Sequence, residues 1–164
     1  MKYLLLIRHA KTEQHGFDND FERRLTNRGE EDCELMSDRL KKLKFMPGLI
    51  KISAAKRTRQ TAKHLANHLN WKKEKIESFE KLYLASYKVL LYEIAHTNAA
   101  VDYLAIIAHN PGITELFNYI GNATIDDLPT CGMGIFTFDI DSWDEIAAHK
   151  GKLEWYSWPK KVKN

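Results

Sequence analysis

The chain has 164 residues, of which 44% are hydrophobic and 29% are charged, a composition typical of a single globular domain spanning residues 1–164. Its net charge of +3 arises from 25 basic and 22 acidic residues that are interspersed, so we expect no nucleic-acid partner. The first apolar run, residues 3–7, is too short to cross a membrane or to form the core of a signal peptide. The two cysteines match no metal-ligand spacing, so we expect a cytoplasmic protein with two free thiols. We also expect no membrane partner, and a monomer by default.

Strand-like and helix-like patterns alternate along the first half of the sequence. Residues 3–7 form a continuous apolar run, which is typical of a strand buried on both faces. Residues 10–25 are polar and irregular, which favours a long loop, and Thr26 then has the features of a helix N-cap. Residues 48–52 predict a short second strand that ends at Ser53, and a helical pattern follows it as far as Leu69.

The second half continues this alternation. Residues 76–82 predict a third strand, residues 89–94 the core of another helix, and residues 103–108 the strongest buried strand of the chain. Asn110 is predicted to cap the helix that follows, with Pro111 in its first turn. The last third, residues 134–140 and 152–158, alternates like a hairpin of more exposed strands. Strands separated by helices predict an α/β fold, here a three-layer α/β/α sandwich with a mostly parallel sheet.

Three of the predicted strands end in residues typical of anion-binding sites: Arg8-His9 after the first, Ser53 and Arg57 after the second, and His109-Asn110 after the strongest. Ligands of open α/β sheets bind at the carboxyl ends of the strands. Two arginines and two histidines are therefore predicted to meet at one edge of the sheet. Two helices should begin there as well, and their unpaired N–H groups favour an anion.

Phosphate suits this set of residues better than a carboxylate ligand does. An arginine presents planar, forked donors that bind two oxygens at once, and its charge is not lost by titration. Phosphoryl transfer passes through a loose transition state with charge on the equatorial oxygens, which arginines stabilise. The charges of the arginines are expected to lower the pKa of His9, so that its neutral ring can attack phosphorus. The second histidine, His109, becomes cationic once phosphate binds and then donates a further hydrogen bond.

These motifs resemble those of the histidine phosphatase superfamily. Residues 6–11 resemble its Arg-His-Gly signature, with Ala10 where glycine is usual, and residues 53–62 resemble its Ser-Pro-x-x-Arg-Ala-x-Gln-Thr-Ala segment. Residues 108–112 are similar to the second histidine motif of the SixA-like phosphohistidine phosphatases. Residues 20–29, with Arg24 where proline is usual, and the Pro-Thr step at 129–130 resemble the same branch, so the resemblance extends over nearly the whole chain.

The resemblance implies a role for each matched residue. It implies that His9 is the nucleophile that becomes phosphorylated, that Arg8 and Arg57 bind the phosphoryl oxygens, and that His109 is the second histidine of the pocket. Asn110 is a further candidate for substrate binding, and Ser53 is expected to cap the helix that carries Arg57. The implied fold is phosphoglycerate mutase-like, without the large lid insertion of longer relatives, so the pocket is expected to admit a protein side chain.

The sequence leaves alternatives open for the catalytic acid and for the roles of the remaining basic residues. Larger relatives carry a carboxylic acid that protonates an alkoxide leaving group, and the nearest candidate here is Glu80, with an exposed strand-end glutamate as the alternative. Imidazole leaves more easily than an alkoxide, so a weak or missing acid favours phosphohistidine as the substrate. Arg23 and Arg28, expected in the long loop, either contact the substrate or anchor the loop. The basic cluster at 159–163 is interpreted as a solvated C-terminal end.

The resemblance therefore implies a SixA-like phosphohistidine phosphatase that needs no metal or cofactor and forms a phosphohistidine intermediate at His9. Two alternatives stay open: a general phosphatase acting on small phosphoesters or other phosphoramidates with the same residues, and a non-catalytic phosphate-binding module. The expected partner is a phosphorylated protein, such as a histidine-phosphorylated signalling or carrier protein, or a small phosphorylated molecule.

Overall fold

Six strands and four helices alternate along residues 1–161, the part of the chain that this computed structural model describes. The strands are β1 (Lys2–Arg8), β2 (Leu49–Ser53), β3 (Ile76–Phe79), β4 (Tyr103–Ala108), β5 (Met133–Phe138) and β6 (Lys152–Ser157). The helices are α1 (Asn27–Lys41), α2 (Lys56–Leu69), α3 (Tyr87–Ala95) and α4 (Gly112–Ile120).

The strands form one sheet in the order β3-β2-β4-β1-β5-β6. The first four of these strands are mutually parallel, whereas β5 runs antiparallel to β1 and β6 antiparallel to β5. Arg8 of β1 lies beside Ala108 of β4. The predicted α/β fold with a mostly parallel sheet is confirmed, and this register brings the two residues that follow these strands, His9 and His109, to the same level at the sheet edge.

Alternate side chains of β1 point to opposite faces of the sheet, as a period of two requires. Leu4 and Leu6 pack in a core with α3 and α4, and Leu5 and Ile7 pack in a second core with α1 and α2. All four side chains are fully buried, which is why the strand appears in the sequence as an unbroken apolar run. The helices cover both faces, so the predicted three layers are confirmed.

Two elements differ from their predicted form. β3 ends at Phe79, and a 3₁₀ turn (Glu80–Leu82) replaces its predicted end, because Leu82 enters the core beside α3. The hairpin is confirmed, but β5 is mostly buried rather than exposed, because it lies between β1 and β6 and packs against α4 through Phe136.

The start of α1 lies against the loop that follows β1. Thr26 is the N-cap, as predicted, and its side chain accepts a hydrogen bond from the N–H of Gly29 at 3.0 Å. A Cβ atom at Gly29 would lie 2.2 Å from the carbonyl oxygen of Lys11, so this close approach requires glycine. Lys11 and the first turn of α1, which carries Arg28, are therefore neighbours.

A buried ion pair joins β2 to α3. The ammonium of Lys51 donates to a carboxylate oxygen and to the backbone carbonyl of Glu93, each at 3.0 Å, and Lys81 lies 2.7 Å from the other carboxylate oxygen. Lys51 and Glu93 are both buried. A charge buried without a partner costs several kcal/mol, so the two residues depend on each other.

No helix within residues 1–161 is long and apolar enough to cross a membrane. The cytoplasmic location and the single-domain organisation expected from the sequence stay predictions. Val162 and Lys163, which belong to the basic cluster noted above, lie outside the described residues.

Candidate active site

A cavity of about 670 Å³ lies at the carboxyl ends of β1 and β4. All four residues that the sequence analysis places at one edge of the sheet line this cavity: Arg8, His9, Arg57 and His109. Asn110 lines it as well. The rings of the two histidines lie 5.3 Å apart, centroid to centroid. Residues remote in sequence therefore share one pocket, as the strand-end argument predicts.

His9 is buried and has one free ring nitrogen. Its Nδ1 lies 2.8 Å from the carbonyl oxygen of Ala10, so Nδ1 carries the proton and donates it, and the lone pair is on Nε2. The pKa of His9 is lowered to about 3, mainly by burial; the hydrogen bond to Ala10 opposes this effect, and the charges of His109, Arg57 and Arg8 add to it. The ring is neutral at physiological pH, as expected, but burial is a larger cause than the arginines on which the prediction rested.

His109 is oriented by Ser53. Its Nε2 lies 2.7 Å from the Ser53 hydroxyl, which in turn accepts the N–H of Ala55 at 3.3 Å. The Ser53 hydroxyl therefore orients the ring, and Nδ1 of His109 is left buried without a hydrogen-bond partner. Burial, followed by the charge of Arg57, lowers the pKa of His109 to about 3. The prediction that Ser53 caps α2 is wrong: the N-cap is Ala55, without a side-chain cap, because the serine hydroxyl is bound across the sheet to the histidine.

The two predicted arginines enter the cavity from different elements. Arg57 lies in the first turn of α2, is 1% exposed, and donates from Nη1 to the Asp20 carbonyl at 2.7 Å and from Nη2 to its carboxylate at 3.0 Å. Arg8 donates from Nη1 to the carbonyl of Leu128 at 3.0 Å and lies 3.7 Å from the Asp127 carboxylate. Each guanidinium is fixed through its terminal nitrogens.

Asp20 and Tyr83 are site residues that the sequence did not single out. The Asp20 carboxylate accepts hydrogen bonds from Arg57 and from the hydroxyl of Tyr83, and lies 3.2 Å from Nη2 of Arg23. Burial acts to raise the pKa of the Asp20 carboxyl, but the hydrogen bonds from Tyr83 and Arg57 outweigh it, and the pKa lies below its ordinary value. Asp20 is therefore an anion. Its only signal in the sequence is the Asp-x-x-Arg spacing to Arg23.

Four buried nitrogen atoms in residues 1–161 have no hydrogen-bond partner: Nε of Arg8, Arg23 and Arg57, and Nδ1 of His109. All four belong to side chains that line this cavity. Buried donors are almost always paired in folded proteins, and leaving one unpaired costs about 1–3 kcal/mol. Three of the four are guanidinium N–H donors and the fourth is a ring nitrogen, and such unmet hydrogen-bonding groups around one cavity favour a ligand that offers several oxygens and negative charge.

Asn110 lines the cavity but does not cap α4. The N-cap is Pro111, so the predicted cap is wrong. The Asn110 amide donates to the Asp127 carboxylate at 2.7 Å and to the Leu128 carbonyl at 3.2 Å, and its oxygen accepts from Thr114 at 2.6 Å. These bonds fix the loop before β5 over α4, and the role of Asn110 in substrate binding stays a prediction.

Other expected features lie elsewhere. Glu80 is exposed in the 3₁₀ turn after β3 and does not line the cavity, so its position does not support the acid role. Arg28 lines the cavity from α1 rather than from the loop. Ala10 is fully buried in the core, with its N–H donating to Thr61 at 3.0 Å, so its methyl group does not occupy the cavity. Arg24, which stands where proline is usual, binds Glu13 across the loop at 3.3 Å.

Residues 1–161 contain no group of three or more His, Cys, Asp or Glu side chains placed to bind a metal ion. Cys33 and Cys131 are both free and buried, as expected.

The fold is phosphoglycerate mutase-like, as the resemblance implied. The chain belongs to the histidine phosphatase superfamily (branch 1), whose profile matches residues 4–113. Membership of this superfamily supports phosphatase activity.

Two solved structures share the fold. A candidate SixA phosphohistidine phosphatase from Agrobacterium tumefaciens has a TM-score of 0.81 and 24% identity, over 95% of this chain and 97% of that one. The protein histidine phosphatase SixA in complex with tungstate has a TM-score of 0.81 and 22% identity, over 96% of this chain and 97% of that one. An uncharacterized chloroplastic protein of Arabidopsis thaliana is 29% identical over 161 residues, covering 93% of this chain and 73% of that protein.

Proposed function

We propose that the chain is a phosphohistidine phosphatase that transfers the phosphoryl group to Nε2 of His9 and then hydrolyses the phosphoenzyme, without a metal or cofactor. The observation that carries the proposal is the set of three guanidinium groups and the His109 ring, each with a buried, unpartnered nitrogen atom, around the neutral imidazole of His9. The substrate is a phosphorylated protein. The two SixA names among the similar folds support the same substrate class.

The first step is attack by Nε2 of His9 on phosphorus. The N–H of Nδ1 is bound to the Ala10 carbonyl, so the lone pair of Nε2 is available at any pH well above the pKa of about 3. The P–N bond of the substrate breaks as the new P–N bond forms, and the donor imidazole leaves as a neutral ring that carries its proton on the other nitrogen. Arg8, Arg57 and His109 bind the oxygens on which charge develops.

The second step returns the enzyme to its starting state. Water attacks phosphorus, the electron pair of the P–N bond returns to Nε2, and the product leaves as H₂PO₄⁻, which keeps both protons of the water. The same donors stabilise this transition state, because its charge lies on the same three oxygens. The phosphate dianion beside His109 favours the cationic form of that ring, and His109 is therefore the group that gains a proton when the anion is bound.

The acidic residues of the cavity favour a P–N substrate over a phosphoester. Asp20 is ionised, since it accepts hydrogen bonds from Tyr83 and Arg57. Asp32 is bound to Nε of Arg28 at 3.0 Å, and Glu80 lies outside the cavity. An alkoxide leaving group needs a proton from a neutral acid, whereas imidazole does not, so the site is expected to act slowly on ordinary esters.

The test is to trap the intermediate. Wild-type protein incubated with radiolabelled phosphohistidine peptide and quenched without acid should carry label on His9. His9→Ala should carry none and should lose at least about 1,000-fold in kcat/KM, since it removes the nucleophile. His96→Ala, at an exposed histidine outside the cavity, is the matched control and should retain both label and activity. Full activity of His9→Ala, or binding of phosphate without turnover by the wild type, would refute the proposal.

A further inference from the structure

The cavity continues beyond the phosphoryl-binding residues to a basic rim formed by Lys11, Arg28 and Lys160. Lys11 and Lys160 are exposed, and Arg28 is 59% exposed and is bound through Nε to Asp32. Within the described residues, six cationic side chains and two carboxylates line the cavity, an excess of four positive charges compared with +3 for the whole chain. The positive charge of the protein is thus concentrated at this one opening.

One side of the rim is built from the C-terminal segment, residues 157–161, which is bound to α1. Arg39 donates from Nη1 to the hydroxyl of Ser157 at 3.1 Å and to the carbonyl of Trp158 at 2.7 Å. From Nη2 it donates to the carbonyls of Pro159 at 3.5 Å and Lys161 at 3.1 Å. The segment is therefore more than the solvated end predicted from the sequence, because one guanidinium fixes its backbone where it borders the cavity.

The rim also carries apolar surface. Trp158 and Pro159 are half-buried in the wall beside Lys160. Leu84, from the segment before α3, also lines the cavity and is 54% exposed. Exposed apolar side chains next to cations are typical of surfaces that contact a protein chain, and a phosphoryl group alone would not need them.

The donors of the rim differ from those of the phosphoryl pocket in their exposure to solvent. Lys11, Arg28 and Lys160 are exposed, whereas the unpartnered nitrogen atoms of the phosphoryl pocket are buried. A second phosphate, as in a nucleotide, is bound best by fixed, forked donors. Exposed lysines with mobile, solvated ammonium groups instead suit carboxylates that remain partly hydrated.

We propose that the basic rim and Trp158 bind a segment of the substrate protein in which acidic side chains flank the phosphorylated residue. This inference rests on the proposed phosphatase function and adds the chemistry of the partner. Attraction between the rim and the acidic segment raises the encounter rate and lowers KM, while the chemical step stays with the phosphoryl pocket.

The test compares three phosphohistidine peptides of equal length whose flanking residues are glutamates, serines or lysines. Wild-type protein should give the highest kcat/KM with the glutamate peptide and the lowest with the lysine peptide, and added salt should reduce the difference. The double variant Lys11→Glu/Lys160→Glu should reduce the glutamate-to-lysine ratio of kcat/KM by about tenfold, since attraction becomes repulsion at two exposed positions. Lys73→Glu/Lys75→Glu, at two exposed lysines at the opposite end of the sheet, changes the net charge by the same amount and should leave the ratio unchanged.

Three outcomes would overturn the inference. In the first, wild-type protein hydrolyses all three peptides with equal kcat/KM, which leaves the phosphatase proposal intact. In the second, the control variant changes the ratio as much as the double variant does, so the effect is one of net charge. In the third, a nucleoside diphosphate inhibits more tightly than the glutamate peptide, so the rim binds phosphate. Failure of the phosphatase proposal looks different, because no peptide is then dephosphorylated at all.

Discussion

The two buried histidines make the stability of the protein depend on pH. The pKa of His9 and that of His109 are each about 3 in the folded protein, against 6.5 for an ordinary histidine. As the pH falls below 6.5, the rings take up protons in the unfolded chain but not in the folded one, and protonation favours unfolding. The free energy of unfolding therefore decreases as the pH falls from about 6.5 toward 3, and it is unaffected by these groups at higher pH.

The size of the effect follows from these pKa values. Between pH 7 and pH 5, each histidine removes about 2 kcal/mol from the free energy of unfolding, and the pair removes about 4 kcal/mol. The figure is the same for any folded-state pKa below about 4, since both rings are then fully neutral at pH 5. His9→Asn and His109→Asn should each reduce the loss between these two pH values by about 2 kcal/mol, because asparagine does not titrate.

Urea unfolding at pH 7 and pH 5 measures this difference, in a buffer without phosphate so that no anion stabilises a protonated ring. All other titrating groups are common to the wild type and the variants, and they cancel in the comparison. His15→Asn, at an exposed position, serves as the control and should lose as much stability as the wild type. If His9→Asn and His109→Asn also lose as much as the wild type, the two rings are not held neutral by burial and the reasoning fails.

Three further changes test other contacts. Glu93→Leu should lower the free energy of unfolding by about 3–5 kcal/mol, measured in urea, because it leaves the Lys51 ammonium buried without a partner. Adding Lys51→Met should restore most of this loss. A double variant as unstable as Glu93→Leu would contradict the interdependence of the two residues. Ser53→Ala should lower kcat/KM about tenfold, since His109 loses the group that orients its ring; unchanged kinetics would exclude that role. It should also cost about 1–3 kcal/mol in urea unfolding, since a buried nitrogen of His109 loses its partner. Glu80→Gln should keep hydrolysis of an alkyl phosphate, whose alkoxide leaving group needs a proton, within about twofold, and a loss of tenfold or more would restore Glu80 as an acid.

Local patterns in the sequence were sufficient to predict most of the fold. The run at 103–108 matches β4 residue for residue, because a strand covered by helices on both faces is apolar at every position. The strand-end placement of Arg8, His9 and His109 followed from the same pattern. The hydrophobic periodicity of the sequence does not predict the order of the strands or the register of β1 beside β4, because both depend on how the helices pack.

The caps show why the site was harder to predict than the sheet. A serine or asparagine just before a helix usually binds the first free N–H groups of that helix. Here Ser53 binds His109, 56 residues away, and Asn110 binds Asp127, 17 residues away. Two other groups of contacts also join residues that are remote in sequence: those of Asp20 with Arg57 and Tyr83, and those of Arg39 with the C-terminal segment. A local rule cannot detect a partner that only the folded chain brings near, and the catalytic roles assigned to the site stay predictions.

The central position of β1 determines how the site can fluctuate and diversify. The backbone that carries His9 is paired on both sides, with its N–H bound to Ala108 and its carbonyl bound to the N–H of Cys131. Amide hydrogens there should exchange with solvent only when the whole sheet opens, whereas those of the exposed loop around Gly16 should exchange orders of magnitude faster. Related chains are thus free to acquire new substrate preferences through substitutions at the mouth of the cavity, with no displacement of the residue that receives the phosphoryl group.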